Sequence, residues 1–318
     1  MGRFLNSIVP FEGYKDIVRT RFFVDKSLLL KEIISEVAID GQKYFCITRP
    51  RRFGKTVMAH MVGAFFGRAA ETKILFDGLK IAGSEYYQEY LNKWDVIYID
   101  FSRLPRNCKS YEQYIERIQD GINEDLIEAY PKQKLDITSA VWDNLLSVFE
   151  KTKTRFIFVI DEWDAIFHKS FITEDNKKSY LEFLRDLLKG QAYVKLAYMT
   201  GVLPIAKYSS GSEINMFKEY DMATKEKFSE YFGFSDSEVD LLFSIYQQTT
   251  QNAKIIRDDL TRWYDGYHTA AGERLYNPRS IICALTDNQI SSYWTSSDPY
   301  DENDRETKEH SCKVEILN

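Results

Sequence analysis

Residues 48–56 read TRPRRFGKT. The stretch ends as a phosphate-binding loop ends, in Gly54, Lys55 and Thr56. The usual spacing, G-x-x-x-x-G-K-[ST], puts the first glycine at position 49, where this chain has Arg49, followed by Pro50, Arg51, Arg52 and Phe53. In such a loop successive backbone N–H groups face a β-phosphate and the following helix adds its positive N-terminal end. The lysine offsets phosphate charge and the hydroxyl holds Mg²⁺. Loss of the first glycine removes conformational freedom at one corner, and Pro50 biases Arg49 towards extended backbone. Taken alone, GKT serves as well as a basic turn that caps a helix.

The surroundings favour the loop. KYFCIT (43–48) has the continuous apolar character of a buried strand, and TVMAHMVGAFFG (56–67) places Val57, Met58, Met61, Val62, Phe65 and Phe66 at helical spacing. Strand, tight turn and helix is the context that a phosphate loop requires. Upstream, SLLLKEIISEV (27–37) reads as a helix with Asp25 or Ser27 as its cap. Downstream, VIYIDF (96–101), RFIFVI (155–160) and YVKLAYMTG (193–201) read as strands. Helical patterns over 110–130, 139–151 and 175–190 alternate with them, the last stopped by Gly190. Short apolar strands alternating with helices predict an α/β fold with a parallel sheet covered on both faces.

Beyond about residue 224 strands become rare. Residues 227–246 and 257–268 read as helical, with turns at Gly233 and Asp265-Gly266, and Pro278 starts a further helix. The expected organisation is a nucleotide-binding domain over 1–224, a smaller helical lid over 225–297 and an acidic, disordered tail over 298–318.

The third strand ends in Asp161 and Glu162. A nucleotide hydrolase needs an acid at the tip of the neighbouring strand to order Mg²⁺, and many need a second carboxylate to orient or activate water. Asp161 suits the first role and Glu162 the second. By itself the pair is also what a solvated acidic turn after a strand looks like; about a hundred residues after a GKT helix it favours nucleotide binding. Thr200, at the end of the fourth strand, reads either as a contact to the γ-phosphate or the attacking water, or as a strand-ending turn. Asp100, at the tip of VIYIDF, reads either as a strand-tip acid near the site or, more simply, as the start of a loop.

Composition bounds the rest. The chain has 318 residues and a net charge of −6, so it is not built as a whole to coat nucleic acid. Residues 1–60 nevertheless hold 11 lysines and arginines against 6 acidic residues, a local excess suited to phosphate. Cys46, Cys108, Cys283 and Cys312 form no C-x-x-C pair, and the four histidines are scattered. That usage points to a reducing cytoplasm, with no His/Cys metal site. No apolar run reaches membrane-spanning length, and the N-terminus has no secretory apolar region.

The runs FFVDKSLLLKEI, ITRPRRFGKT, FIFVIDEWDAIF, YMTGVLPIAKY, FGFSDSEV, WYDGYH and YNPRSI resemble, in this order, the AAA-ATPase-like family. The resemblance spans about residues 8–297 and implies a P-loop NTPase core with an appended helical lid, related to signal-transducing ATPases. It implies that Arg49 is a family feature. It implies Lys55 and Thr56 as the phosphate and Mg²⁺ residues and Asp161 and Glu162 as the acidic pair. The candidate site is then Arg51, Arg52, Phe53, Gly54, Lys55 and Thr56 for nucleotide binding, Thr56 and Asp161 for Mg²⁺, and Glu162, Lys55 and Thr200 for catalysis. The VDKSLLL segment would help to enclose the base, and the Tyr276–Ser280 region would complete the pocket. Arg279 reads as a sensing arginine or, more simply, as an exposed helix residue. Relatives commonly carry a nuclease-like domain; the 24 residues after Trp294 are too few for one, and Glu306-Thr307-Lys308 reads as a chance E-x-K match.

The expected activity is Mg²⁺-dependent ATP binding with slow hydrolysis that drives a conformational switch. The alternatives are a switch with little hydrolysis, or a nucleic-acid-associated protein of mobile elements or defence. The expected partners are ATP and a protein partner or a second copy, with nucleic acid binding weak and no membrane association.

Overall fold

The computed structural model describes residues 2–208, 213–222 and 224–293. Its centre is a sheet of parallel strands: β1 (Tyr44–Thr48), β2 (Asp95–Asp100), β3 (Phe156–Asp161), β4 (Val194–Gly201) and β5 (Lys218–Tyr220). Among the described residues it has five strands, in the order β2-β3-β4-β1-β5, and every neighbouring pair is parallel.

The strands are apolar at nearly every position because both faces are covered. Side chains alternate between faces, so one strand supplies two cores. Cys46, Ile97, Ile99, Phe158, Ile160, Ala197 and Met199 enter one cluster. Phe45, Ile47, Val96, Tyr98, Ile157, Val159, Leu196 and Tyr198 enter the other. The second face is closed by α1 (Val9–Val18), α2 (Leu28–Ile39) and α3 (Lys55–Phe66), with short α4 (Lys73–Phe76) and α5 (Tyr87–Tyr90). The first is closed by α6 (Tyr111–Ala129), α7 (Val141–Thr152) and α8 (Glu174–Leu188).

A third cluster lies beyond the sheet, with Phe234, Val239, Leu242, Tyr246, Leu260, Tyr276 and Ile281 at its centre, joined by Phe22 from before α2. It is built from α9 (Asp236–Thr249), α10 (Arg257–Tyr264), α11 (Pro278–Asp287) and a hairpin of β6 (Asp265–His268) with β7 (Arg274–Tyr276). Phe228, Tyr231 and Phe232 still pack into the sheet's own core. Lys26 ties the cluster back: its ammonium lies 2.5 Å from Glu238 and donates to the Glu230 carbonyl.

Several local expectations change. The helix expected over 227–246 starts only at Asp236, after a capping box made by Ser235 and Glu238. Phe228 (φ 67°) adopts left-handed backbone, which breaks the helix expected before the turn, and Gly233 (φ 86°) adopts it where the turn was expected. Asp265-Gly266 is no turn but the start of β6, and the register shift between Asp265 and Tyr267 absorbs Gly266. The part beyond the sheet is therefore helical with a hairpin. Ser27 stands at the N-cap of α2 without capping it; its hydroxyl accepts the Ile81 N–H instead. The acidic tail over 298–318, Trp294 and Glu306-Thr307-Lys308 lie outside the described residues.

Candidate functional site

The loop leaves β1 at Thr48 and enters α3 at Lys55. Its left-handed corners are at Arg52 (φ 70°) and Gly54 (φ 84°), not at position 49. A Cβ at Gly54 would meet nothing within 4 Å, so glycine is needed there for conformation rather than for space. Arg49 continues the β1 pairing instead, its N–H donating to the Gly201 carbonyl at 3.2 Å. The first glycine is dispensable because no turn occurs where it would stand.

The Arg49 side chain is 1% exposed. Its Nη1 donates to the carbonyls of Thr48 (2.8 Å) and Tyr220 (2.6 Å), and its guanidinium lies 5.0 Å from the Phe232 ring centre. Burial pulls its pKa down to about 10, against the opposing influence of Tyr198 and Asp221. Arg49 thus joins the root of the loop to β5 and to the segment that leads into the lid.

Lys55, the first residue of α3, is buried, and its ammonium donates to the carbonyls of Arg49 (3.1 Å) and Pro50 (3.2 Å). It stands 4.0 Å from Glu162 Oε1. Burial lowers its pKa; the carboxylates of Glu162, Asp164 and Asp161 oppose the shift.

Asp161 ends β3, and β3 is not the immediate neighbour of β1: β4 lies between them. The expectation of an acid on the adjacent strand is corrected to one strand further, and the intervening strand carries Thr200. The Thr200 hydroxyl is fully buried, donates to Asp161 Oδ1 at 2.5 Å and accepts the Glu162 N–H at 3.4 Å. Burial raises the pKa of Asp161, opposed by hydrogen bonds from Thr200 and Thr56. Burial likewise raises that of Glu162, opposed by Lys55. Glu162 holds a left-handed backbone (φ 51°), and its side chain is 29% exposed. Strained backbone of this kind persists where surrounding structure over-determines it.

The site residues read from the sequence therefore meet at the carboxyl ends of β1, β4 and β3, the edge where open α/β sheets bind ligands. Arg52, Phe53 and the Arg51 carbonyl, on the same loop, meet the part beyond the sheet, while the Arg51 side chain is close enough to act on Glu162 and Lys55. The Arg51 carbonyl accepts from Asn277 Nδ2 (3.4 Å), Arg52 Nη1 donates to the Tyr293 carbonyl (2.7 Å), and Phe53 meets Tyr267. Arg279 is exposed on the first turn of α11. Asp100 accepts from Ser102 and Arg103 at the start of the loop that follows, and it lies beside Asp161 in the sheet register.

Two further acids escaped sequence reasoning. Asp164 is buried, and its Oδ2 accepts the N–H groups of Val202 (3.0 Å) and Leu203 (2.7 Å), which fixes the segment after β4. Its signal was the second aspartate of DEWD. Glu219 on β5 accepts from the Thr48 hydroxyl and the Ile205 N–H, both at 3.2 Å, and no pattern announced it. Among the described residues no group of three or more His, Cys, Asp and Glu stands ready for a metal, and no helix is long and apolar enough to cross a membrane.

A search of curated proteins finds no match. Among solved structures the chain is similar to the Cdc6p protein of Pyrobaculum aerophilum, with 12% identity and a TM-score of 0.41 over 83% of this chain and 62% of that one. It is also similar to the ORC2 protein of Aeropyrum pernix in its ADPNP–ADP complexes, with 10% identity and a TM-score of 0.44 over 91% of this chain and 74% of that one. The chain thus spans less than two thirds of the Cdc6p chain. The model of the AAA-ATPase-like family, described as predicted AAA-ATPases, matches residues 11–210 and so takes in the loop, the Asp161-Glu162 pair and Thr200. The chain belongs to that family of predicted AAA-ATPases, and its fold is the α/β fold of a P-loop NTPase, a parallel sheet flanked by helices and followed by a smaller, mostly helical part.

Proposed function

We propose that the protein binds ATP with Mg²⁺ at the carboxyl ends of β1, β4 and β3, hydrolyses it slowly, and uses the cycle to move the segment 225–297 as a lid over the domain 1–224. The observation that carries this reading is the meeting of Lys55, Thr56, Asp161 and Glu162 from two separate stretches of sequence.

The donor set fits Mg²⁺. The Thr56 hydroxyl and the Asp161 carboxylate are hard oxygens within hydrogen-bonding reach of each other. Magnesium characteristically takes one or two protein oxygens and completes its shell with phosphate and water. When bound, the cation offsets phosphate charge. Lys55 would leave the Arg49 and Pro50 carbonyls for phosphate oxygens. Glu162 would accept a proton from the water that attacks the γ-phosphorus, so that ADP and inorganic phosphate leave. Its raised pKa suits that role. Thr200 would act through Asp161, whose carboxylate it holds, and Arg51 would contact phosphate, or Arg52 once released from the Tyr293 carbonyl.

A slow intrinsic rate follows if transition-state charge needs an arginine from a neighbour, which makes a protein partner or a second copy part of this reading. We place the protein in the cytoplasm and expect weak nucleic acid binding. The alternative, a switch with little hydrolysis, is favoured by the direct contacts of Arg51, Arg52 and Phe53 with the lid. Thermal shifts with ATP, GTP or no nucleotide, each with Mg²⁺, test binding, and phosphate release separates the two readings. Absence of any shift overturns both.

A further inference from the structure

Three motifs beyond the family-matched segment remain without a role: FGFS around Gly233, DGYH around Tyr267 and YNPRS around Asn277. All three converge on Arg51–Phe53. Phe53 is 1% exposed although it sits in a surface loop. Its ring meets that of Tyr267 on β6 edge-on, with centroids 4.7 Å apart at 76°. On its other side Gly233, at φ 86°, passes so close that a Cβ there would lie 3.1 Å from Phe53 Cε1 and 3.3 Å from the Tyr276 carbonyl oxygen. Both the backbone conformation and the contact demand glycine. Phe234 pairs with Tyr276 through reciprocal N–H to carbonyl bonds of 3.0 and 2.8 Å, which locks Gly233 against β7.

The neighbouring residues add polar ties. Asn277 uses its Oδ1 to cap α11 through the Ser280 N–H (3.2 Å) and its Nδ2 to hold the Arg51 carbonyl (3.4 Å). One side chain thus serves both the lid helix and the loop. Arg52, at φ 70°, donates to the Tyr293 carbonyl. Phe53 immediately precedes Gly54 and Lys55, so a backbone reorientation that turns the N–H groups facing phosphate also carries its ring.

We propose that Phe53 is a positioning residue seated against Tyr267 and against Gly233, which β7 holds in place, and that this contact couples a nucleoside triphosphate on the loop to the β6–β7 hairpin. The inference rests on the nucleotide reading above and names the part that carries its switch. An aromatic pair of this kind is stiff, well packed and close to the loop amides, so reorientation of the loop changes the fit of Tyr267. By linkage, a lid held in one position changes nucleotide affinity by the same factor.

The test follows amide hydrogen exchange over 265–268 and 274–276 in the full chain, with and without Mg-ATP, beside calorimetric titration of Mg-ATP. Wild type and Tyr267→Phe, which keeps the ring, are expected to change exchange in the hairpin by at least about fivefold. Tyr267→Ala is expected to bind Mg-ATP with altered affinity and to lose the change in exchange. Should Tyr267→Ala fail to fold, Tyr267→Leu keeps apolar bulk without the ring and carries the same expectation. Binding with an unchanged hairpin in wild type, or a full response in the ring-less variant, overturns the coupling alone. Absence of any binding in wild type overturns the nucleotide reading and this inference with it.

Discussion

The Lys55 ammonium lies 4.0 Å from Glu162 Oε1 while donating to the carbonyls of Arg49 and Pro50, so the cation and the carboxylate of the site face each other without a direct hydrogen bond. Each moderates the shift that burial imposes on the other. This arrangement is poised for exchange, because phosphate oxygens would offer Lys55 a charged partner in place of two carbonyls.

Lys55→Ala is expected to weaken Mg-ATP binding by at least about tenfold, since hydrogen bonds to charged groups contribute about 1.5–3 kcal/mol. Glu162→Gln is expected to preserve binding and to lower kcat by about 10²- to 10⁴-fold. The wild-type rate should rise with pH as Glu162 loses its proton, at a pH above the ordinary carboxylate range, and fall where Lys55 deprotonates, below the ordinary lysine range. Calorimetry and steady-state phosphate release measure these. Unchanged kcat in Glu162→Gln would remove it as the base.

Asp161 gives a stability prediction of the opposite sign from its importance. Burial raises its pKa, so the folded protein binds a proton more tightly than the unfolded chain. The associated stability is present below about pH 4, the unfolded value, and is lost as pH rises through the raised folded pKa. Asp161→Asn keeps a carbonyl for the Thr200 hydroxyl and removes the buried charge. Without nucleotide it should melt about 2 °C or more above wild type at neutral pH. The difference should shrink in acid, while Mg²⁺-dependent binding is lost. Calorimetric melting across pH decides, and a lower neutral Tm for Asp161→Asn would show that the carboxylate is already compensated.

How much of this was legible in the sequence follows from where the determining contacts lie. β1 through β4 were legible because burial on both faces forces continuous apolar runs. β5 was not, because only Tyr220 of its three residues is buried. α1 escaped because its buried residues are only Pro10 and Tyr14, too few for a stripe. The hairpin escaped because Asp265–His268 alternates half-buried with exposed residues and starts with turn-forming types. The convergence of Lys55, Thr56, Asp161 and Glu162 could be expected from the sequence because phosphate chemistry would dictate their types. The roles of Asp164 and Glu219 depend on backbone groups 38 and 14 residues away, which local pattern cannot supply.

Arg49→Gly recreates the standard loop spacing and should nevertheless damage the protein. The loop's left-handed corners are at Arg52 and Gly54, so glycine at 49 meets no conformational need. The substitution removes the hydrogen bonds to the Thr48 and Tyr220 carbonyls and the stacking on Phe232. Loss of these bonds is expected to cost about 2–4 kcal/mol, with roughly 0.5–1 kcal/mol more from the backbone freedom of glycine. Because the same side chain joins the loop's root to β5, Mg-ATP affinity should fall as well. Arg49→Lys keeps the charge but not the planar fork, and should lie between the two. Chemical denaturation and calorimetric titration of the three proteins measure both effects. A glycine variant that is as stable as wild type and binds Mg-ATP more tightly would show that the arginine merely fills the place of the missing glycine. The expected loss of both properties would show that this loop is anchored by a side chain where others are turned by a glycine.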